Sequence, residues 1–322
     1  MDLGSVVALA GGVGGAKMAQ GLAAALGLGR LTVVVNTADD FEHLGLHISP
    51  DLDTVMYTLA GLQNVETGWG LADESWHFLE ALERLGGETW FRLGDRDLAT
   101  HVERTRRLRE GESFSSITEG FCARLGVAAR VLPMSDDPVR TVVHTDAGSI
   151  PFQEYFVRRK CRPAVRGFDF EGADAAEFHP AAAAALQAAD LTAVLICPSN
   201  PYVSIAPILA LTGARECLRT AAAPVIAISP IVGGAALKGP AAKMMRELGE
   251  NAAAETVAAQ YADLLDGFVL DRCDAGEAEA IRARGPRVLL ADTVMRTSAD
   301  KARLAAEILA FAREFARARV GV

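Results

Sequence analysis

Short, continuously apolar segments alternate with helical segments along much of the chain. Runs of β-branched residues without polar positions are typical of strands that are buried on both faces of a sheet. The segments between them have helical spacing, and many end at glycine or proline. The pattern predicts an α/β fold, a Rossmann-like, doubly wound and mostly parallel sheet, with strands at Val6–Leu9, Leu31–Val35, Leu191–Ile196, Pro224–Ile228, Phe268–Leu270 and Arg287–Leu290. The predicted helices are Lys17–Leu26, Ala181–Ala189, Ala206–Thr220, Ala241–Leu248, Ala253–Leu265, Glu277–Arg284 and Ala299–Arg317.

Two stretches interrupt this alternation. Residues 54–128 have a helical pattern without strands, which predicts a helical insertion over the sheet edge and a possible lid. From about Arg130 to Gly172, segments such as Thr141–Thr145, Pro151–Arg158 and Ala164–Phe170 predict a small antiparallel excursion. Because strands on both sides of these insertions are needed to complete one sheet, we expect residues 1–322 to form a single domain.

Composition narrows the function classes. The 322 residues are 50% hydrophobic and 23% charged, enough for a large core. The formal net charge of −9 argues against nucleic acid or an anionic membrane as partner and favours small-molecule substrates. The five cysteines are widely spaced, which indicates neither a disulfide framework nor a zinc site. No signal peptide or membrane span is indicated, so we expect a cytoplasmic protein.

Four aspartates follow the second predicted strand: Asp39, Asp40, Asp51 and Asp53. Carboxylates this close repel one another unless a cation or a proton lies between them. A divalent metal is the expected neutraliser, with at least two of the four contacting metal or substrate. One of Asp51 and Asp53 could instead cap the helix that starts near Thr54. The neighbouring His43 and His47 are not needed, because carboxylates with phosphate favour magnesium.

A glycine-rich turn follows the first predicted strand. It contains Gly11, Gly12, Gly14 and Gly15, and Lys17 comes directly after it. The turn is not a P-loop, because alanine and methionine stand where that motif needs glycine and a hydroxyl. It also matches the dinucleotide fingerprint poorly. Free amides at a helix N-terminus, close backbone approach and a lysine nevertheless indicate a phosphate site. Phosphate and metal together suggest phosphoryl or nucleotidyl transfer.

Two further motifs carry polar groups. The segment Arg92–Asp97, followed by His101 and Arg104, resembles a binding turn for phosphate or a polar ring, although a solvated charged face would look similar. Ser199 and Asn200 follow a predicted strand, where they could contact a nucleobase or ribose; the alternative is that the asparagine caps the next helix.

Seven motifs in order resemble the CofD/FbiA family over nearly the whole chain. They are Gly-Gly-Val-Gly-Gly-Ala-Lys, Asn-Thr-Ala-Asp-Asp, Ser-Pro-Asp-Leu-Asp-Thr, Leu-Gly-Asp-Arg-Asp-Leu-Ala-Thr-His, Leu-Pro-Met-Ser-Asp-Asp-Pro, Pro-Ser-Asn-Pro and Ser-Pro-Ile-Val-Gly-Gly. This family comprises the 2-phospho-L-lactate transferases of coenzyme F-420 biosynthesis. They join a phosphorylated three-carbon acid to 7,8-didemethyl-8-hydroxy-5-deazariboflavin, called Fo.

The resemblance implies a GDP-activated donor, release of GMP, a requirement for Mg²⁺ and a homodimer. It implies that Asp53 and Arg92 hold Fo, and that Asp39 binds the metal with Asp40 and Asp51 as plausible neighbours. Asp53 and Asp39 are then the expected catalytic residues. The glycine turn, Lys17, Ser199 and Asn200 correspond to the nucleotide side of the cleft.

Two other function classes compete with the transferase. Gluconeogenesis-factor proteins of the same superfamily bind nucleotide sugars without transfer chemistry; the segments Gly94–Asp97 and Met134–Asp137 favour the transferase. A nicotinamide dehydrogenase would also have a glycine turn and an acid after strand two, but Lys17 and four acids disfavour it. The sequence leaves open whether 2-phospho-L-lactate, phosphoenolpyruvate or 3-phosphoglycerate is transferred.

Overall fold

The computed structural model describes residues 4–320, without the side chains of 316–320. The strands are β1 (Ser5–Ala10), β2 (Leu31–Val35), β3 (Phe41–His43), β4 (Leu46–Ile48), β5 (Arg130–Pro133), β6 (Arg140–Thr145), β7 (Gly148–Pro151), β8 (Val165–Glu171), β9 (Leu191–Ile196), β10 (Val225–Ile228), β11 (Ile231–Val232), β12 (Ala235–Ala236), β13 (Gly267–Asp271) and β14 (Arg287–Ala291). The helices are α1 (Gly12–Leu26), α2 (Pro50–Leu59), α3 (His77–Arg84), α4 (Asp97–Arg109), α5 (Phe114–Arg124), α6 (Pro180–Leu186), α7 (Ala206–Ala210), α8 (Ala214–Arg219), α9 (Ala241–Glu247), α10 (Ala254–Gln260), α11 (Ala278–Arg282) and α12 (Ser298–Val320).

The central sheet confirms the predicted doubly wound fold. Its seven strands lie in the order β14-β13-β10-β9-β1-β2-β5, and every neighbouring pair is parallel. The strand order reverses between β1 and β9, because β2 and β5 follow β1 on one side while β9, β10, β13 and β14 extend on the other. In open α/β sheets, ligands bind at the carboxyl edge beside such a reversal. A ligand site is therefore expected at the loops after β1, β2 and β9.

Both faces of this sheet are covered, which explains the continuously apolar strands. In β1, Val7 and Leu9 face a core that includes helices α6 to α10, whereas Val6 and Ala8 face a second core with α1, α2 and α12. Successive side chains of a strand point to opposite faces, so a strand with a core on each side has no polar position.

The two insertions differ in how well the sequence predicted them. Segment 54–128 is helical as expected, with most of α2 and all of α3, α4 and α5. The excursion is a three-stranded antiparallel sheet in the order β7-β6-β8, also as expected. The predicted strand Pro151–Arg158 is wrong. Pro151 is the last residue of β7, and Glu154–Arg158 form a π-helical turn. The stacked rings of Phe152 and Phe156 have helical spacing, and this packing overrides the β-preference of aromatic residues.

Several boundaries also differ. The helix α1 begins at Gly12, not at Lys17, so most of the glycine turn is the first turn of this helix, and α2 begins at Pro50, not near Thr54. The strand β5 belongs to the central sheet beside β2, not to the excursion. The predicted helix Ala206–Thr220 is divided into α7 and α8, because Gly213 takes a left-handed conformation before α8. Within residues 4–320, no helix combines the length and apolar character that a bilayer crossing requires. The single domain over 1–322 and the lid role of 54–128 stay predictions.

Candidate active site

The glycine turn packs directly against the loop after β9. Gly11, the residue before α1, donates its N–H to Ser199 Oγ at 3.1 Å, and that hydroxyl donates to the Gly11 carbonyl at 2.8 Å. A side chain at position 14 would place its Cβ 2.1 Å from the carbonyl oxygen of Pro198, so only glycine fits there. The strand reversal thus brings together the two loops that the sequence assigned to the nucleotide.

Ser199 and Asn200 already have partners inside the protein. Ser199 is buried and holds the glycine turn, as described above. The side-chain oxygen of Asn200 accepts a hydrogen bond from the Tyr202 N–H at 3.0 Å and caps the π-helical turn Pro201–Ile205. Their nucleotide-binding roles stay predictions, as do those of Gly11, Gly12, Gly14 and Gly15.

Lys17 extends from α1 toward the loop that follows β14. Its ammonium donates to the Met295 carbonyl at 3.0 Å. Burial lowers the pKa of Lys17, and the nearby charges of Lys238 and Lys301 lower it further. Neighbouring lysines indicate a site where a bound anion would neutralise their charges.

Asp39 and Asp51 lie together beside the glycine turn. Asp51 accepts a hydrogen bond from Asn36 Nδ2 at 3.0 Å and one from the Gly12 N–H, so it faces the N-terminus of α1. Burial raises the pKa of Asp51 to about 6. The pKa of Asp39 is raised well above its ordinary value, first by burial and then by the charge of Asp51.

One oxygen of Asp39 is an orphan. Asp39 is 4% exposed, and its Oδ1 has no hydrogen-bond partner within the described part of the chain. Leaving a carboxylate oxygen buried and unpaired is costly, and a cation between Asp39 and Asp51 would remove both this cost and the repulsion of the pair. These two residues therefore fit a hard divalent cation.

Asp40 has different partners. Its Oδ1 accepts a hydrogen bond from Ser49 Oγ at 2.8 Å, and its Oδ2 lies 3.1 Å from His47 Nε2. Ser49 and the half-buried His47 thus engage both oxygens of the carboxylate. The predicted metal role of Asp40 remains a prediction, with both oxygens already engaged.

Asp53 faces away from Asp51 although both are in the first turn of α2. Two residues along a helix correspond to a rotation of about 200°, so the two carboxylates point to opposite sides. Asp53 accepts two hydrogen bonds from the guanidinium of Arg104 on α4, one of them from Nη1 at 3.1 Å. Burial works against the charge of Arg104, but the Asp53 carboxylate raises its pKa above the ordinary value. Burial raises the pKa of Asp53, and the charge of Arg104 opposes this rise, so the shifts of the two partners point to opposite states of the carboxyl group. Because an arginine keeps its charge in proteins, its two-point contact with Asp53 favours the ionised pair.

A second acid and a histidine complete this buried group. His101 lies 3.7 Å from Asp53 through Nδ1 and 3.3 Å from Asp97 through Nε2. Asp97 also accepts a hydrogen bond from the Tyr57 hydroxyl at 2.7 Å. Ligand atoms of Asp53, Asp97 and His101 lie within 4.8 Å of one another, so they could hold a metal ion. The bidentate Arg104 already neutralises Asp53, which makes Asp39 and Asp51 the better cation site.

Arg92 is exposed and stacks on an aromatic ring. Its guanidinium carbon lies 4.0 Å from the ring centroid of Trp76. The residues just before it, Trp90 and Phe91, pack against Phe41 of the β3–β4 hairpin, with ring centroids 5.8 Å and 4.9 Å apart. Arg92 thus adjoins a wall of aromatic rings, the kind of surface on which a flat heterocycle stacks.

The turn after Arg92 interlocks two helices. Asp95 accepts hydrogen bonds from the N–H groups of His77 and Phe78 and so caps α3. Glu74 in turn accepts hydrogen bonds from the Arg96 and Asp97 N–H groups at the start of α4. The charges in this motif therefore act mainly as reciprocal helix caps, and they fix the position of Arg92 and of Asp97.

Sequence reasoning missed several residues of this region. Asn36 was noted only as part of the Asn-Thr-Ala-Asp-Asp motif. Its contact with Asp51 forms only when the loop after β2 returns toward the end of that strand. The aromatic wall was missed because Phe41, Trp90 and Phe91 are separated by almost 50 residues of chain. Arg104 stood in a noted cluster, yet no local signal connects it with Asp53.

Comparisons with known proteins agree over nearly the whole chain. The family model described as 2-phospho-L-lactate transferase CofD matches residues 6–308. The phosphoenolpyruvate transferase of Kitasatospora aureofaciens is 45% identical over 93% of this chain and 96% of its own. The 2-phospho-L-lactate transferase of Methanosarcina mazei is 39% identical over 94% and 99%. A solved UPF0052-family structure from Bacillus halodurans has a TM-score of 0.65 at 14% identity, covering 96% of this chain and 99% of that one, and supports the fold alone.

The fold and these matches define an enzyme that transfers a phosphate-containing group. The chain belongs to the CofD family of 2-phospho-L-lactate transferases.

The Asp53–Arg104 pair gives a stability prediction. Replacing Arg104 with glutamine leaves a buried, uncompensated carboxylate and is expected to lower the free energy of unfolding by about 3–5 kcal/mol. Asp53→Asn combined with Arg104→Gln should cost less than the sum of the two single changes, because the pair is lost only once. Urea denaturation of the four proteins measures this. Arg106→Gln, which removes an exposed arginine from the same helix, is the control and should change little. Additive single effects would contradict the coupling.

Proposed function

We propose that the protein transfers a phosphorylated three-carbon acid from a GDP-linked donor to the ribityl hydroxyl of Fo. GMP is released, and the product is coenzyme F-420-0 when the acid is 2-phospho-L-lactate. Membership of the CofD family is the observation that carries this proposal. The site supports it, because a carboxylate pair and a helix N-terminus that suit a diphosphate adjoin an aromatic wall that suits the deazaflavin ring.

We propose phosphoenolpyruvate as the acid of the physiological donor. The relatives from Kitasatospora aureofaciens and Streptomyces griseus, at 45% and 43% identity, are both named phosphoenolpyruvate transferase. The two Methanosarcina relatives, at 39% and 41%, are named 2-phospho-L-lactate transferase. Phosphoenolpyruvate has a methylene group where 2-phospho-L-lactate has a methyl group. The pocket that contacts this carbon therefore sets the preference between the two acids.

The reaction is a displacement at phosphorus. The ribityl oxygen of Fo bonds to the phosphorus that bears the acid, and the bond from this phosphorus to the bridging oxygen breaks. GMP departs with that electron pair, and the hydroxyl proton passes to solvent. We propose that the Gly12 to Gly15 amides at the start of α1, with Lys17, stabilise the negative charge that develops on the phosphates. Catalysis then rests on positioning and charge neutralisation.

We propose Mg²⁺ as the cofactor, held by Asp39 and Asp51. The unpaired, buried Oδ1 of Asp39 and the second carboxylate beside it support this assignment. When bound, Mg²⁺ would neutralise charge on the diphosphate. Asn36 holds Asp51 in place through its amide, and Thr141 and Gln153 pack around Asp39 from the antiparallel excursion.

On the acceptor side we assign Arg92 to binding Fo and Asp53 to orienting its hydroxyl. Both oxygens of Asp53 already accept hydrogen bonds from Arg104, so orientation is a better role for it than proton removal. The cytoplasmic location and the homodimer expected from the sequence stay proposals.

Transfer is tested directly with purified protein, Fo, Mg²⁺ and each of the three guanylated acids, with products read by mass spectrometry. The expected result is a mass increase of Fo with release of GMP, fastest with the phosphoenolpyruvate donor. A higher rate with the 2-phospho-L-lactate donor would overturn the choice of acid. No product with any donor would overturn the transferase and favour a nucleotide-sugar-binding regulator.

The magnesium site predicts a pH-dependent stabilisation. Because the pKa values of Asp39 and Asp51 are raised in the fold, these groups stabilise the metal-free protein when protonated, and that stability is lost as the pH rises through their folded pKa values, about 6 for Asp51. Metal binding needs the ionised carboxylates, so the Tm gain from added Mg²⁺ should grow from pH about 5 to about 8.

Asp39→Asn should abolish this gain, whereas Asp73→Asn, at an exposed position with φ of 54° that asparagine tolerates, should retain it. Differential scanning fluorimetry measures all three proteins. An equal gain in Asp39→Asn and wild type would exclude this site.

The role of Asp53 predicts a specific kinetic result. Asp53→Asn should lower kcat by roughly 10²-fold, because the hydroxyl loses its orientation. The acidic limb of the pH–rate profile should keep its position, since Asp53 does not take the proton. Loss of that limb would show that Asp53 is the base, and unchanged turnover would exclude either role. Assays run below the Tm of the variant, with circular dichroism as the folding check.

A further inference from the structure

Three of the five lysines gather along one side of α1. Lys17 belongs to this helix, Lys238 to the loop after β12, and Lys301 to α12. Each ammonium donates to a neutral oxygen: Met295 O at 3.0 Å, Thr67 O at 2.7 Å and Gln20 Oε1 at 2.6 Å, respectively. Burial lowers the pKa of Lys17, and the charges of Lys238 and Lys301 lower it further because neighbouring lysines repel one another. In a chain of net charge −9, the cluster indicates a place for an anion.

The ammonium of Lys238 lies over the first turn of α1. A Cβ added to Gly68 would be 2.9 Å from Val13 Cγ1 and 3.0 Å from Lys238 Nζ, so both groups lie next to Gly68. Val13 is the second residue of α1, and Lys17 comes four residues later on the same face of the helix. Lys238 and Lys17 therefore present their charges along the same face, starting at the helix N-terminus.

The β11–β12 hairpin, which directly precedes the loop with Lys238, is held at its turn. The Gly233 N–H lies 3.0 Å from both carboxylate oxygens of Asp274, and Arg246 donates to the Gly234 carbonyl at 2.8 Å. In the loop itself, Lys238 makes one hydrogen bond within the described residues, to Thr67. An ammonium has three N–H donors, so donors remain for the oxygens of a phosphate.

Thr67 and Gly68 belong to a small hairpin, residues 61–72, closed by the bridge between Gln63 and Leu71. We name it the clasp hairpin. It holds Lys238 through the Thr67 carbonyl and touches α1 at Val13. Lys301 differs, because it is 8% exposed and engaged by Gln20, so it adds positive potential without reaching a ligand.

We propose that Lys238 binds the diphosphate of the nucleotide donor together with Lys17 and the first turn of α1, and that the clasp hairpin holds Lys238 in place for this contact. The identity of the donor rests on the proposed function. The lysines lie along the helix and Asp51 lies at its very start, so a diphosphate there is met by cationic side chains as well as by the metal site.

Binding of GDP in the presence of Mg²⁺, measured by isothermal titration calorimetry, tests the proposal without requiring turnover. Lys238→Gln should raise the Kd for GDP about tenfold or more, as expected for loss of a charged hydrogen bond. Lys160→Gln removes the charge of another exposed lysine and should leave the Kd unchanged. In the transfer assay, Lys238→Gln should raise the KM for the donor and leave the KM for Fo unchanged.

The clasp hairpin is tested with a matched pair of alanine variants. Gly68 and Gly70 both have positive φ, 82° and 71°, so Gly68→Ala and Gly70→Ala carry similar backbone strain. Only a Cβ at position 68 meets Val13 and Lys238; nothing lies within 4 Å of a Cβ at position 70. Gly68→Ala should therefore weaken GDP binding and Gly70→Ala should not. Equal effects of the two changes would refute a specific role for the clasp hairpin in holding Lys238.

The two proposals fail in different ways. An unchanged Kd in Lys238→Gln, or no GDP binding by the wild type, would overturn the assignment of Lys238. Wild-type protein that binds GDP through Lys238 but modifies Fo with none of the donors would support the diphosphate site and refute the transferase.

Discussion

The organisation of the site depends on how four aspartates after β2 are each compensated. Asp53 takes the guanidinium of Arg104, and Asp40 takes Ser49 and His47. Asp39 and Asp51 have no such partner among residues 4–320: Asp51 accepts hydrogen bonds from Asn36 and the Gly12 amide, and Asp39 Oδ1 is left without a hydrogen bond there. A buried carboxylate pair of this kind is stable only with a proton or a cation between its members. The uncompensated charge is thereby confined to the edge of the sheet where β1 and β9 diverge.

This separation gives the cleft two electrostatic sides around one helix end. Asp51 faces the start of α1, while Lys238 lies over the first turn of this helix and Lys17 lies about one turn farther along. A diphosphate with a bound cation carries both signs of charge and matches such an arrangement. A lone anion would meet the carboxylates unscreened, and a lone cation would meet the lysines. The proposed nucleotide and the proposed metal should therefore favour each other's binding. The cation screens the diphosphate from the carboxylates, and the diphosphate screens the cation from the lysines.

The sequence was sufficient for the sheet and for the meeting of three loops at one of its edges. Apolar runs marked the central strands, and the topology of parallel sheets required the loops after β1, β2 and β9 to meet at one edge. The sequence was insufficient where a polar residue could either cap a helix or bind a ligand. Asn200 caps a helical turn, and Asp95 caps α3, although both read equally well as ligands. Pairings such as Asp53 with Arg104 connect residues on different helices, and local patterns contain no information about them.

The same buried pair limits which part of the helical insertion can move. Displacing α4 would break the contact of Arg104 with Asp53, a loss of about 3–5 kcal/mol when one partner is left alone. It would also release the caps that Glu74 and Asp95 provide between α3 and α4. The clasp hairpin has ties of its own: the Thr67 carbonyl accepts a hydrogen bond from Lys238, the Ala72 carbonyl accepts one from Arg96 Nη1 at 3.1 Å, and Leu71 packs against the core with α1 and α2. Motions that need few broken contacts dominate the opening of proteins. The insertion is therefore fixed at α4 by a buried pair, and its clasp hairpin is fastened at Leu71 and Ala72 while Thr67 at its tip is exposed. The lid role of the insertion stays a prediction.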